Sequence, residues 1–572
     1  MKNLKGSVIA VALVCVAFLT SCVSASIDPV KASRELAPIE RTAIKNSEGV
    51  YYCLFVRSFA DSDGDGIGDL QGVIENLDYL NDGDDTTTDD LGVTGIWLMP
   101  IYETGTYHGY DVKDYYSINP EYGTMEDFEA LVAAANERGI SIILDITCNH
   151  SSVNNPWFVA SMDPDDPHRD WYRWAHQDDP DSDVNRSIWG HSAWRYYGNG
   201  WYYAGVFDSS MPDFNLANEE VRKEFSNVCK FWLDKGVRGF RFDAVSHVFN
   251  PVELSPGETT MPASTDWWSY ISNEIKNVDE NAWSVGECWE STSVRAEYLK
   301  GLQSVFHFDI GKQIANSLKA GRSGQNGIAN RMENAYEMYR EINPTYIDAP
   351  FLSNHDQARF MSDLNIPDEE KQKNQMKCAA AIYMTTEGVP FIYYGEEIGM
   401  KGAKPDQDLR TPFLWDDSVK TTPNWYTSAY GKEDRFNKNT ESLKSQEKDK
   451  TSIVEYYKRI IRLKTAYPAL YRGRMSPLWT GESELVSWMM SDTVEAGVVN
   501  PELASGDTAF VIHNVSNKEI TTEIPTEALN QLEAKDLVFS GNGNVILIEN
   551  SITLPPYASA VIGKYASLPK ID

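Results

Sequence analysis

Eight short runs of apolar, β-branched and aromatic residues recur along the first two thirds of the chain: YYCLFVRSF (51–59), GVTGIWLMPI (92–101), ISIILDITCNH (140–150), VRGFRFDAV (237–245), AWSVGECW (282–289), SVFHFDI (304–310), TYIDAPFLSN (345–354) and GVPFIYYG (388–395). They are near-continuously apolar rather than alternating, the pattern of parallel strands covered on both faces. Segments of helical period separate them. TMEDFEALVAAANERG puts Phe128, Leu131 and Val132 on one face, with Glu126 and Asp127 near its start and Gly139 as its stop. NEEVRKEFSNVCKFWLDKG repeats the design ahead of the fourth run. Eight strand–helix alternations predict an α/β fold, a (β/α)8 TIM barrel whose strand C-termini line one rim.

The pattern breaks twice. The third connection, from His150 to about Asn215, is rich in Trp, Tyr, Asp and Pro with little helical period, and a loop of that length predicts a small inserted domain. Beyond about residue 470 the runs alternate (LVSWMM, TAFVIHNV, NVILIEN, ASAVIGKY), predicting a C-terminal antiparallel β-sandwich. The expected division is a barrel in 48–149 and 213–470, an inserted B domain in 150–212 and a β domain in 471–567. NDGDDTTTDD (81–90) reads as a surface loop.

At the N-terminus, Lys2 and Lys5 precede an apolar run from Val8 to Leu19, too short and wrongly flanked to span a bilayer. It ends in Leu19-Thr20-Ser21-Cys22, similar to a bacterial lipobox. The expectation is a signal peptide (1–21), a lipid anchor on Cys22 and a tether (22–47), giving an exported lipoprotein on the outer side of a bacterial membrane. A periplasmic or secreted form is the alternative, and a monomer is expected. Of seven cysteines, five (53, 148, 229, 288, 378) lie widely spaced within apolar patterns and without a CxxC pair, predicting buried thiols, no disulfide framework and no zinc site. The length of 572 residues requires two or three domains, and a net charge of −33 excludes nucleic-acid binding, since phosphates would be repelled.

Chemistry concentrates at the strand ends. The fourth run carries Arg241 and Asp243, the fifth Glu287, and the seventh ends at Asn354 with His355 and Asp356 directly after it. Arg241 stands two residues before Asp243 and so on the same strand face. Three carboxylates converging on one rim repel each other unless used, either to hold a metal or to cleave a glycosidic bond. The second task needs one ionised carboxylate and one acid whose pKa is raised, and Arg241 is placed to keep Asp243 ionised.

These residues carry a family resemblance. DITCNH (145–150), GFRFDAVSH (239–247), GECW (286–289) and LSNHD (352–356) resemble the four short regions of the α-amylase family of glycoside hydrolases. GIWLMPIY (95–102), MPDFN (211–215) and GVPFIYYGEE (388–397) resemble its auxiliary regions, in the family's order. The resemblance implies the barrel, B domain and β-sandwich already expected. It implies Asp243 as nucleophile, Glu287 as general acid and then base, and Asp356 holding the hydroxyls of the distorted −1 sugar. His150 and His355 would bond to that sugar, Tyr110 would stack on it, and Arg241 would orient Asp243. HGYD and RTPFLW resemble the oligo-1,6-glucosidase side of the family, where a pair such as Asp111–Arg410 closes the −1 pocket. MPDFN and the alanine after Asp243 point instead to an α-amylase cutting internal α-1,4 bonds of starch and malto-oligosaccharides. Neopullulanase-type or α-glucosidase-type action and a non-catalytic surface glucan-binding protein are the alternatives.

DSDGDGIGDLQG (61–72) resembles an EF-hand loop, with carboxylates at positions 1, 3, 5 and 9 and glycine at 6, but Gly72 stands where the bidentate glutamate belongs. In the same family such a loop after the first strand holds Ca2+, which implies side-chain ligands Asp61, Asp63, Asp65 and Asp69 and the Ile67 carbonyl. A second calcium, on Asn149 and the His247 carbonyl with Asp208 as the candidate B-domain carboxylate, is also implied.

Overall fold

The computed structural model describes residues 47–84, 87–180, 182–249, 261–416, 423–431 and 433–564. The expected signal peptide, Cys15, the Cys22 anchor, nearly all of the tether and residues 565–567 lie outside them. Each of the eight apolar runs contains a strand: β1 Tyr51–Leu54, β2 Gly95–Leu98, β3 Ser141–Ile146, β4 Gly239–Phe242, β5 Trp283–Gly286, β6 Ser304–His307, β7 Ile347–Pro350 and β8 Phe391–Tyr393. They pair in parallel in the order β7-β6-β5-β4-β3-β2-β1-β8. A parallel bridge between Phe351 and Phe391 joins the two ends into a barrel. Aromatic rings plug its interior, with Tyr51 against Phe391 at 5.4 Å, Trp97 against Phe306 at 5.4 Å and Phe306 against Phe391 at 4.9 Å. Such pairs add about 0.5–1.5 kcal/mol each beyond the area they bury.

Both predicted helices form. α1 (Met125–Glu137) starts at a reciprocal capping box between Thr124 and Asp127 and buries Phe128, Leu131, Val132 and Ala135. α2 (Glu219–Asp234) starts at Asn218, whose side chain accepts from the Glu220 amide, and buries Val221, Phe225, Val228, Cys229 and Trp232. These caps satisfy amides that the first helical turn leaves unpaired.

The 150–212 segment folds around Ala175, Ala193, Trp194, Ala204 and Val206, with a three-stranded sheet of Trp174–His176, Trp201–Ala204 and Trp194–Gly198. Bridges His150–Asp213 and Tyr172–Phe214 tie it to the barrel rim. At the C-terminus a five-stranded antiparallel sheet (Arg474–Pro477, Leu485–Ser491, Thr508–Asn514, Ser559–Gly563, Asp536–Gly541) faces a three-stranded one (Ile520–Glu523, Ser551–Leu554, Ile546–Ile548). They share a core that includes Leu485, Phe510, Ile512, Ile552 and Leu554. The sandwich docks on the barrel through Trp488, whose indole donates to the Thr385 carbonyl at 3.1 Å, and Arg474, which pairs with Glu387 at 3.1 Å.

The acidic stretch at 81–90 is the expected surface loop in its described middle, but it is anchored at both ends. Its ends, Asn81 and Asp90, are buried, and Asp90 pairs with the buried Arg462. Charge alone suggested solvent, but a buried guanidinium from a distant helix draws the carboxylate inward. The five described cysteines are free and buried, and among the described residues no helix is long and apolar enough to cross a membrane.

Candidate active site

The barrel register assembles the site. Arg241 lies directly beside Asp145 across β4 and β3, and Trp97 beside Ile143 across β2 and β3. Side chains two apart on a strand share a face, so Trp97, Asp145, Arg241 and Asp243 all project to one side. The Arg241 guanidinium, fully buried, bonds through Nη1 to Asp145 and Asp243, each at 2.7 Å, and its Nη2 lies 3.0 Å from Glu287 Oε1. One cation serves three carboxylates.

Burial pushes the Asp243 carboxyl up to about 6, with Arg241 pulling it back. The expectation that Arg241 keeps Asp243 ionised therefore holds only above about pH 6, because the cation is shared. Glu287 is lifted further, to about 7, first by burial and then by Asp243 and Asp356 against the pull of Arg241. Its Oε2 accepts from the Ala244 amide at 3.0 Å and its Oε1 from the Trp289 indole at 2.8 Å. Ala244 adopts left-handed backbone (φ 47, ψ 45) to aim that amide, a conformation hard on β-branched residues. Asp356 goes the other way. Burial works against its charge, but His355 Nε2 at 3.0 Å and Arg410 Nη2 at 2.8 Å outweigh it and hold the carboxyl well below its usual range.

All three acids line one cleft of about 480 Å3 together with Tyr110, His150, Phe207 and Arg410. The Tyr110 hydroxyl contacts His355 Nε2 at 2.6 Å and Asp145 at 3.0 Å, and its ring lies within 10° of parallel to that of His355. His150 packs on Phe207 at 5.0 Å, and burial drives its pKa to about 3, so the imidazole is neutral.

One expected pairing does not form. Asp111 and Arg410 make no ion pair: Asp111 accepts from Thr104, Thr106 and the Gly105 amide, while Arg410 is committed to Asp356 and the His355 carbonyl. Three donors of its own hairpin hold the Asp111 carboxylate in place there. Of the residues named for a second calcium, Asn149 donates through Nδ2 to Asp213 at 3.1 Å and keeps its buried Oδ1 without a protein partner, while Asp208 Oδ1 accepts from the Ser210 amide and hydroxyl, each at 2.8 Å. Asn149 thus pins the end of β3 to the chain where it returns from the inserted domain. The His247 ring packs under Trp189 and Phe207, at 5.1 and 5.3 Å, on the cleft wall.

The 61–72 loop brings one oxygen each of Asp61, Asp63 and Asp65 within 4.8 Å of one another, hard donors at a spacing that fits a calcium ion. Gly66 (φ 95) turns the loop, and a Cβ there would meet Asn424 Oδ1 at 2.4 Å. Its carbonyl accepts from the Asn424 and Trp425 amides, each at 2.8 Å. Asp69 stands apart from the cluster. It accepts from Gly72 N at 2.6 Å as N-cap of the helix Leu70–Glu75 and from the Ser62 amide and hydroxyl, each at 2.8 Å. A carboxylate at loop position 9 is also the residue before a helix, and the cap takes it. Ile67 donates its amide to Asp65 at 2.7 Å.

Sequence reasoning missed Asp145 and Trp289 as functional residues. Asp145 stood in a quoted motif, and a carboxylate in an otherwise apolar strand was the available signal. Trp289 also closes a motif given above, GECW, but one tryptophan after a strand is more often core.

An eight-stranded barrel with an arginine-bridged acid cluster at its C-terminal rim defines a class, and comparison supplies the family. Residues 53–473 match the model of the alpha-amylase catalytic domain and 504–561 that of the alpha-amylase SusG C-terminal domain; the chain belongs to the α-amylase family of glycoside hydrolases. It is 36% identical over 516 residues to Alpha-amylase 3 of Dictyoglomus thermophilum, covering 90% of this chain and 92% of that protein. The solved alpha-amylase from H. orenii superposes with a TM-score of 0.78 at 38% identity, covering 91% and 100% of the two chains. The 4-alpha-glucanotransferase of Thermotoga neapolitana is 29% identical over 477 residues, covering 82% and 97%.

Proposed function

We propose that the protein is an α-amylase that hydrolyses internal α-1,4 bonds of starch and malto-oligosaccharides with retention of anomeric configuration. The observation that carries this reading is the pair of acids on one guanidinium in one cleft, Asp243 bonded to Arg241 Nη1 at 2.7 Å and Glu287 3.0 Å from its Nη2. Burial and the neighbouring acids raise Glu287 further than Asp243, which makes Asp243 the one to carry charge and Glu287 the one to hold a proton, the division of labour that a nucleophile and a proton donor require. Asp243 attacks C1 of the −1 sugar and the C1–O4 bond breaks. The Glu287 proton passes to the departing O4. Water then attacks C1 of the glycosyl ester, giving its proton to Glu287 and releasing Asp243. The two carboxyls of a retaining pair stand roughly 5–5.5 Å apart. Asp356, held ionised by His355 and Arg410, accepts hydroxyls of the −1 sugar, and the neutral His150 is free to bond to it.

Glu287→Gln keeps the shape of the acid and removes its proton. Hydrolysis of soluble starch falls at least about 100-fold while oligosaccharide binding persists; unchanged hydrolysis would remove Glu287 from its role. The similarity to a 4-alpha-glucanotransferase makes transfer to a sugar hydroxyl the second reading. Product analysis on starch, pullulan and maltotriose separates it, since transfer yields chains longer than the substrate.

A calcium ion on Asp61, Asp63 and Asp65 fits the donor set, and would neutralise their mutual repulsion and stiffen the loop. Export and lipid anchoring at Cys22 are proposed from the N-terminal sequence.

A further inference from the structure

Trp289 stands two residues beyond the proton donor and behaves unlike the other tryptophans of the barrel. Trp97, Trp232, Trp267 and Trp268 are fully buried, whereas Trp289 is 50% exposed and lines the cleft. An exposed indole has no packing reason to be fixed in place, yet this one is held twice. Its ring lies on Phe308 with centroids 4.2 Å apart, and its Nε1 donates to Glu287 Oε1 at 2.8 Å.

We propose that Trp289 is a positioning residue for the reaction, setting both the orientation and the proton affinity of Glu287 through its indole N–H. The inference rests on the hydrolase reading above. An indole nitrogen only donates, so its bond favours the carboxylate over the carboxylic acid. With the Ala244 amide on Oε2 and Trp289 on Oε1, each oxygen is tethered and the carboxyl plane is fixed. Without the indole, Oε1 keeps only the Arg241 Nη2 contact, and Arg241 is already bonded to Asp145 and Asp243.

The other groups facing Glu287 pull in opposite directions. Asp145, Asp243 and Asp356 favour its protonated form, and Arg241 and His355 its charged form. Trp289 adds a neutral donor on the side of charge. Glu287 must give up its proton in the first half-reaction and accept one in the second. A donor that prevents the acid from holding its proton too tightly serves the first step, while the fixed plane serves both.

The test is Trp289→Phe, which retains a ring on Phe308 but no N–H. The expected result is a basic limb of the kcat/KM profile moved upward by at least about 0.5 pH unit. On malto-oligosaccharides kcat falls about 10-fold with KM changed less than 3-fold. With α-maltosyl fluoride, whose leaving group needs no proton, the loss is under 3-fold. If Trp289 is only a wall for the sugar, KM rises, the pH limb stays, and both substrates suffer equally; that outcome overturns the proposal. Trp289→His, which restores a ring N–H, recovers part of the shift, and failure of both variants to differ from wild type also overturns it. Failure of the hydrolase reading is seen separately, as wild-type protein that releases no sugar from either substrate.

Discussion

Arg241 concentrates the residue-scale argument. A guanidinium with no exposed surface is stable only because Asp145, Asp243 and Glu287 surround it, and removing one partner of such a cluster is costly where replacing the whole set need not be. Asp145→Asn removes a charge that touches no substrate. It lowers stability by about 3 kcal/mol, read as a fall in the denaturant midpoint. Because Asp145 raises the Asp243 pKa, the same variant moves the acidic limb of the pH–rate profile downward. An unmoved limb would show that Asp145 does not sense Asp243. Wild type follows a bell between the two carboxyls, with activity lost below about pH 6 as Asp243 protonates and above about pH 7 as Glu287 loses its proton. The triad was legible from residue type at strand ends. The Asp111–Arg410 pair was not, because sequence cannot show that Thr104 and Thr106 reach Asp111 first.

At the scale of elements, the 61–72 loop is the clearest case of two uses competing for one pattern. Carboxylates at alternate positions describe a calcium loop, and the last of them also precedes a helix. The structure divides the work, with Asp61, Asp63 and Asp65 gathered and Asp69 capping Leu70–Glu75. Asp61→Ala therefore removes calcium-dependent stabilisation: wild type gains Tm on adding Ca2+ and loses it with chelator, while the variant responds to neither. Asp69→Ala costs about 1 kcal/mol as a lost cap and keeps the calcium response. If Asp69→Ala also abolishes that response, Asp69 is a ligand after all. The strands and helices were legible because period and caps are local properties. The short strand Ile520–Glu523 carries little such signal, and only its pairing with Ser551–Leu554 defines it.

Across the whole molecule, two buried carboxylates make stability depend on pH from a distance. Glu396 accepts from Tyr383 and Tyr457 at 2.9 and 2.8 Å, Glu397 from Tyr52 and Tyr79 at 2.7 and 2.8 Å. Burial raises them to about 8 and about 7 despite those bonds. Raised values mean that the folded state holds protons the unfolded chain has lost. Their contribution is full below the ordinary glutamate pKa near 4.5 and disappears as pH rises through 7 to 8. The Tm declines across that window, and Glu396→Gln flattens the decline; a Tm equal at pH 6 and pH 9 would contradict the assignment. The three-domain plan was readable from where periodicity changes. The docking of the sandwich through Trp488 and Arg474 was not, since its hydrogen bond and ion pair join residues 103 and 87 positions apart.

The most direct measurement is covalent capture of the intermediate. Glu287→Gln incubated with α-maltosyl fluoride forms the ester without needing an acid and lacks the base to hydrolyse it. Peptide mass mapping is predicted to place the added maltosyl group on Asp243. A label on any other carboxylate, or wild-type hydrolysis with inverted product and no label at all, would contradict the account.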